Sequence, residues 1–296
     1  QSKCDIMLIY VNGQYVEASE ARISPYDHGY LYGLGVFETF RIYNGHPFLL
    51  DDHYNRLIEA LDTLQIKWTM TKNDVMLILK DLLAKNELKH AYVRFNVSAG
   101  IDEIGLQTEM YEEPSVIVFI KPLTSPGDVV EKEGVILKQV RNTPEGTFRL
   151  KSHHYLNNIL GKREIGNVVS KEGIFLTEAG YVAEGIVSNL FFVKGDVLYT
   201  PSLETGILNG ITRAFIIKSA EELNIEVKEG FFTKDELLSA DEVFVTNSIQ
   251  EIVPLYRIEA QDFPGKVGVV TKSLMYLYGM QREKLWSRNE LRRGDV

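Results

Sequence analysis

Residues 147–158 read TFRLKSHHYLNN and place Arg149, Lys151, His153 and His154 within six positions. A lysine crowded by other cations is pushed toward its uncharged form, and an uncharged amine attacks an aldehyde to give a Schiff base. Three further stretches could serve such an amine. Glu184, in YVAEGIVSN, sits among small residues between two strand-like runs; if buried and ionised, it would hold a ring nitrogen protonated. The run LNGITR opens a helix on Gly210, where unpaired backbone N–H groups and the helix dipole favour a phosphate. Arg56, on the polar flank of another helix, could fork onto the same anion. Singly, each has a commoner explanation: a surface lysine, a turn glutamate, a glycine helix start, a solvated arginine.

Competing chemistries find little support. Gly33-Leu-Gly35 lacks the third glycine of a dinucleotide loop and leads into a strand. No G-x-x-x-x-G-K, G-x-S-x-G or H-E-x-x-H run occurs. His153 and His154 are adjacent, so on a helix they point about a hundred degrees apart and do not share a metal ion; no metal site is expected. With 41 Asp and Glu against 32 Lys and Arg, the chain carries a net charge of −9, which disfavours nucleic acid or an anionic membrane as a partner. Any anion site must therefore be local. The single cysteine, Cys4, excludes an internal disulfide and suits a reducing cytoplasm. No membrane-length apolar run or secretory signal is visible, and the residues ahead of Met7 carry no functional weight.

The elements that must position these groups are partly legible. MLIYVNGQYVE alternates around Asn12-Gly13, and GVFETFRIYNGHPF turns at Asn44-Gly45; both read as hairpins. Asp51 and Asp52 are candidate caps for a helix burying Tyr54, Leu57, Ile58, Leu61 and Leu64, with His53 and Arg56 side by side on another face. A second helix is expected from about Asn73 to Lys85, then strands in HAYVRFNVSAG and SVIVFIKPL. The Pro- and Gly-bearing run after Lys121 reads as a linker at 123–130, between a domain at 1–122 and another at 131–296. Beyond it come a strand in GVILKQV and a helix from near His153 with Leu156, Ile159 and Leu160 inward. A hairpin over Lys194-Gly195, a helix after GILNGITR, a strand in DEVFVTNS and a helix from about Val267 to Leu285 complete an α+β chain.

FLLDDHYNRL, RLKSHHYLNN, YVAEGIVSNLFFVK, GILNGITR and ADEVFVTNSIQEI stand in the order and spacing of the class IV, or fold type IV, pyridoxal-phosphate enzymes. The resemblance spans YVNG to about Pro254. It implies a small N-terminal α/β domain and a larger β-barrel-like domain, with pyridoxal 5'-phosphate between them, and a homodimer. It further implies that Lys151 joins the cofactor, Glu184 pairs with the pyridine nitrogen, and Arg56 binds the phosphate with the Ile211 and Thr212 backbone. Thr246, Asn247 and Ser248 close around that phosphate and Leu208 packs under the ring. Tyr155, taken as one helical turn beyond Lys151, could reach the ring hydroxyl.

RNTPEGTFRLKSHHYLNN and SPYDHGYLYGLGVFETFR look most like the 4-amino-4-deoxychorismate lyases of this family, which release pyruvate and 4-aminobenzoate, a folate precursor. In that chemistry the freed Lys151 takes the proton from the carbon bearing nitrogen. Lys151, Glu38 or Thr39 would supply the acid, and Phe37, Glu38 and Thr39 line the site in relatives. Branched-chain and D-amino-acid aminotransferases are the alternatives, with a non-catalytic pyridoxal-phosphate-binding protein a third. Ser98-Ala99-Gly100 stands where many D-amino-acid enzymes resemble Thr-Arg-Gly, so their carboxylate-holding arginine is missing. Arg94 resembles the position from which branched-chain enzymes hold a carboxylate, and with Phe37 is expected to bind substrate.

Overall fold

The computed structural model describes residues 6–295, so Cys4 lies outside the described residues. The chain forms two compact units. The first runs to Pro126 and takes back Lys151–His154 and Arg282–Ser287; the second holds Gly127–Leu150, Tyr155–Gln281 and the chain from Arg288. The main division comes after Pro126, and the returns at 151–154 and 282–287 depart from the expected split into 1–122 and 131–296. The two short returns have no compositional signature.

The first unit is a six-stranded sheet, ordered β2-β1-β6-β5-β3-β4, with antiparallel neighbours throughout. Its strands are β1 (Leu8–Val11), β2 (Gln14–Glu17), β3 (Gly35–Tyr43), β4 (His46–Pro47), β5 (Ala91–Ser98) and β6 (Ser115–Pro122), with helices α1 (His28–Tyr32), α2 (Leu50–Thr63) and α3 (Lys72–Lys85). Asn12-Gly13 and Asn44-Gly45 turn the two hairpins with positive φ at both residues, the backbone that matches strand twist. Along β5, Ala91, Val93, Phe95 and Val97 are buried, whereas Tyr92, Arg94 and Asn96 on the opposite face are only half-buried. The helix residues Leu57, Leu61, Leu79 and Leu82 are buried too, and α2 packs on β3.

Asp51 and Asp52 do not cap α2. The helix starts one residue earlier from Leu49, which adopts a left-handed backbone and offers no side-chain cap. The N–H groups of Leu49 and Asp51 instead donate to the carbonyls of Leu285 and Trp286 at 3.1 and 3.0 Å, so the returning C-terminal segment supplies the cap. Both aspartates still lie in the first turn, where the helix dipole favours them.

The second unit is a nine-stranded mixed sheet, ordered β12-β11-β10-β13-β14-β7-β8-β9 with β15 beside β14. It comprises β7 (Lys132–Ile136), β8 (Lys171–Leu176), β9 (Val182–Gly185), β10 (Asn189–Lys194), β11 (Val197–Pro201), β12 (Glu226–Gly230), β13 (Glu242–Asn247), β14 (Glu251–Ile258) and β15 (Gln261–Asp262). The helices are α4 (Leu156–Ile165), α5 (Ile211–Glu222), α6 (Lys234–Leu238) and α7 (Val269–Gln281). Ile174, Val182, Leu190, Phe192, Val243, Val245 and Leu255 fill one core; Leu137, Phe175, Ala183, Ile186 and Ile207 fill another. The β10–β11 turn falls on Gly195-Asp196, one residue later than expected.

The orientation of α4 corrects the sequence expectation. Leu156, Ile159 and Leu160 are 67, 44 and 37% exposed, whereas Asn157, Asn158 and Gly161 are buried. The two asparagines are the better-satisfied inward face. Asn157 donates to Val140 O at 2.9 Å, Asn158 donates to Ile186 O at 2.6 Å, and both accept from the Arg141 guanidinium. Gly161 lets α4 close onto β8, since a Cβ there would lie 2.6 Å from Phe175 Cζ.

Candidate active site

The open edge of β3 positions Lys151. Strand β5 pairs with β3 along one side, but β4 covers the other side only at Ile42 and Tyr43. The chain at 151–153 fills the vacant stretch: Phe37 N donates to Lys151 O at 3.0 Å, His153 N donates to Gly35 O at 3.0 Å, and Ser152 bridges Val36. Lys151 and His153, two residues apart in extended chain, therefore share a face. Both meet Phe37: Lys151 Nζ lies 4.6 Å from its ring centroid and the His153 ring stacks at 6.2 Å. Gly35 makes this approach possible, because a Cβ there would overlap the imidazole. His153 and His154 are not helical, yet they still diverge, His154 Nε2 turning to Tyr32 O at 3.3 Å.

The period of two along β3 assigns opposite surroundings to the expected site residues. Phe37 and Thr39 share one face with their β5 partners Asn96 and Arg94, while Glu38 points to the other, toward α2. There Glu38 accepts from Arg56 Nε and Nη2 at 2.7 and 2.6 Å and from His53 Nδ1 at 2.7 Å. Burial alone would raise the Glu38 carboxyl, but the Arg56 charge and these hydrogen bonds outweigh it and hold the group down at about 2. Burial pushes the His53 imidazole the other way, toward its neutral form. Glu38 is thus held as the ionised partner of Arg56 and His53, on the face of β3 away from Phe37 and Thr39.

On the opposite face Arg94 lies over Phe37, its guanidinium carbon 3.7 Å from the ring centroid. Its Nε and Nη2 both reach Asn96 Oδ1 at 3.3 Å, and His153 Nε2 meets the same oxygen at 2.9 Å.

In the second unit Glu184 is buried and well partnered. Arg141 Nε donates to Oε1 at 2.8 Å, while the Leu208 N–H and Asn189 Nδ2 donate to Oε2 at 3.0 and 3.3 Å. Arg149 Nε lies 3.9 Å from Oε1 and is itself anchored on Gly206 O at 2.6 Å. Burial first, then Arg141, lowers the Arg149 guanidinium to about 10. Arg141 is a partner that the sequence motifs do not single out. Glu184 lies within β9 and not between strands as the sequence reading had it; a glutamate buried there needs a cation, and Arg141 and Arg149 both lie in the loop between β7 and α4.

Helix α5 supplies an anion-ready end. Its cap is Gly210, with no side-chain cap hydrogen bond, so the first-turn N–H groups of Ile211 and Thr212 are not consumed by one. A Cβ on Gly210 would overlap Asn189 Oδ1, so closeness and not backbone angle requires glycine. Thr212 Oγ1 and Ser248 Oγ are 3.3 Å apart, and the buried Thr246 Oγ1 has no hydrogen-bond partner. Asn247 Oδ1 accepts from the N–H groups of Ile249 and Gln250, fixing the turn that carries Ser248. Tyr155 caps the start of α4; it is separated from Lys151 by non-helical chain, so the expected one-turn relation does not hold.

Residues 35–258 match the family model for amino-transferase class IV. The chain belongs to the class IV aminotransferase family. Within it, the aminodeoxychorismate lyase of Bacillus subtilis (strain 168) is 52% identical over 273 residues, covering 92% of this chain and 93% of that one. The D-alanine aminotransferase of Staphylococcus aureus (strain N315) is 32% identical, covering 90 and 94%. Among solved structures, the branched-chain amino acid aminotransferase of Escherichia coli superimposes with a TM-score of 0.85 at 30% identity, covering 93% of this chain and 94% of that one. The α+β architecture is that of this class IV family. Among the described residues no helix is long and apolar enough to cross a membrane.

Proposed function

We propose that this class IV enzyme is a pyridoxal-phosphate-dependent aminodeoxychorismate lyase, removing pyruvate from 4-amino-4-deoxychorismate to leave 4-aminobenzoate. The observation that carries this is the 52% identity, over 92% of the chain, to the Bacillus subtilis aminodeoxychorismate lyase. A transaminase relationship is more distant, at 32% identity to the D-alanine enzyme. Position also weighs against D-amino acids. Ser98-Ala99-Gly100 carries no arginine and is held by backbone, with Ala99 N donating to Leu34 O and His28 N to Gly100 O.

The residues present fit the cofactor. A phosphate would meet the α5 N-terminus, the hydroxyls of Thr212 and Ser248, and the unsatisfied Thr246 Oγ1, groups that otherwise leave a buried hydroxyl without a partner. Arg56, Asn247, Leu208 and Tyr155 are proposed to complete that binding. When bound, pyridoxal phosphate supplies an electron-withdrawing ring next to the substrate carbon that bears nitrogen. Lys151 is the amine that holds it and then takes the proton from that carbon. Glu184, fixed by Arg141 and the Leu208 N–H, keeps a proton on the ring nitrogen. Thr39 or Lys151 delivers the proton required where the enolpyruvyl oxygen leaves, and loss of pyruvate with aromatisation runs downhill. Arg94, over Phe37, takes a substrate carboxylate.

We also propose a homodimer in a reducing cytoplasm. The exposed Leu156, Ile159 and Leu160 on α4 support the dimer. The experiment that tests the function is to incubate the enzyme with aminodeoxychorismate and follow 4-aminobenzoate fluorescence, then offer leucine or D-alanine with 2-oxoglutarate. Product fluorescence is expected; amino transfer without it would replace the lyase with a transaminase. Cofactor binding with neither activity would leave a binding protein.

A further inference from the structure

We propose that Asn96 and His153 are positioning residues for Arg94, forming a relay that holds its guanidinium over Phe37 so that it meets a substrate carboxylate without prior reorganisation. The inference deepens the proposed function, since it rests on Arg94 being a carboxylate-binding arm.

Geometry carries it. Asn96 Oδ1 is the shared acceptor of Arg94 Nε, Arg94 Nη2 and His153 Nε2. A guanidinium only donates, so Oδ1, and not the Asn96 amide nitrogen, must face Arg94. That orientation in turn requires His153 to carry its proton on Nε2. The imidazole is steadied on its other side by Phe37 stacking, by its backbone bond to Gly35 O and by contact with the bare Gly35 Cα. The Arg94 bonds to Oδ1 are long, at 3.3 Å each, so their hold depends on how well Oδ1 is fixed, and the shorter 2.9 Å bond from His153 fixes it. Burial first, then the Arg94 charge, lowers the His153 imidazole to about 4, so the relay adds no second positive charge beside the arm. Asn96, Phe37 and a neutral His153 add no charge of their own to that of Arg94. His153 also stands two residues from Lys151, on either side of the Ser152 bridge to Val36, tying the arm to the reactive amine.

The test is equilibrium binding, measured by calorimetry on the cofactor-loaded enzyme with 4-aminobenzoate and with 2-oxoglutarate, so that it runs whether the enzyme proves to be a lyase or a transaminase. His153→Leu removes the donor and is expected to weaken both acids about fivefold, the effect of one lost hydrogen bond. His153→Gln keeps an N–H donor and should restore most of that loss. In an Arg94→Ala background His153→Leu should add nothing, because the arm it positions is gone. Unchanged affinity in His153→Leu, no difference between Leu and Gln, a full additional loss in the Arg94→Ala background, or no binding of either acid to the unaltered enzyme would each overturn the relay. Failure to form 4-aminobenzoate, with the binding pattern intact, would overturn only the lyase assignment.

Discussion

Glu38 grips Arg56 through both carboxylate oxygens, Oε1 to Nε at 2.7 Å and Oε2 to Nη2 at 2.6 Å, on the face of β3 opposite Phe37 and Lys151. Glu38 is 3% exposed and His53 closes on the same carboxylate, so removing it takes a buried carboxylate away from the part-buried guanidinium and the buried imidazole at once. Glu38→Ala should therefore cost about 3 kcal/mol of stability, read by urea denaturation of the cofactor-free protein. A loss no larger than that of an exposed ion pair would show the fork to be loosely held.

The same pair sets a pH dependence. Glu38 lies below its ordinary 4.5 in the folded chain, at about 2, so its stabilisation is complete above about 4.5 and drains away as pH falls toward 2. His153 acts in a higher window. Its folded value of about 4 lies below the ordinary 6.5, so its contribution is full above 6.5 and is lost as pH falls toward 4. Stability curves for Glu38→Gln and His153→Leu should flatten in the lower and the upper window respectively. Flattening in the wrong window, or in neither, would contradict these assignments.

How much of this could be seen beforehand depended on whether the decisive interaction was local. Asn12-Gly13 and Asn44-Gly45 announce their turns because the left-handed backbone is a property of two residues. The α4 face misled because Leu156, Ile159 and Leu160 follow an apolar stripe, whereas the inward choice was made by Arg141, 16 and 17 residues away, whose guanidinium Asn157 and Asn158 satisfy. Glu38 and Thr39 are neighbours in sequence, and only the pairing of β3 with β5 puts them on opposite faces. Lys151, Glu184 and the Gly210 helix start were legible as chemistry, but the returning segment at 282–287 that caps α2 left no sequence signal.

Gly210 offers a steric test of the α5 end. Its φ of −62° suits any residue, so Gly210→Ala acts through the overlap with Asn189 Oδ1 alone. Asn189 holds Leu208 O and Glu184, so displacing it should loosen both and cost about 1–3 kcal/mol, with weaker retention of pyridoxal phosphate on dialysis. Unaltered stability and retention would mean that the loop gives way without consequence.

Replacing Glu184 with Gln preserves shape but not charge opposite Arg141. Turnover should fall on the order of a hundredfold while the protein still binds cofactor. Full turnover in this variant would remove the electronic role assigned to the carboxylate.

Lys151 is the group on which the whole account turns, and borohydride reduction of the loaded enzyme followed by peptide mapping tests it most directly. The account predicts that the pyridoxyl label sits on Lys151 and that Lys151→Ala loses both the label and the absorbance at about 400 nm of a lysine-bound cofactor. A label on any other lysine, or none on the wild-type chain, would contradict it.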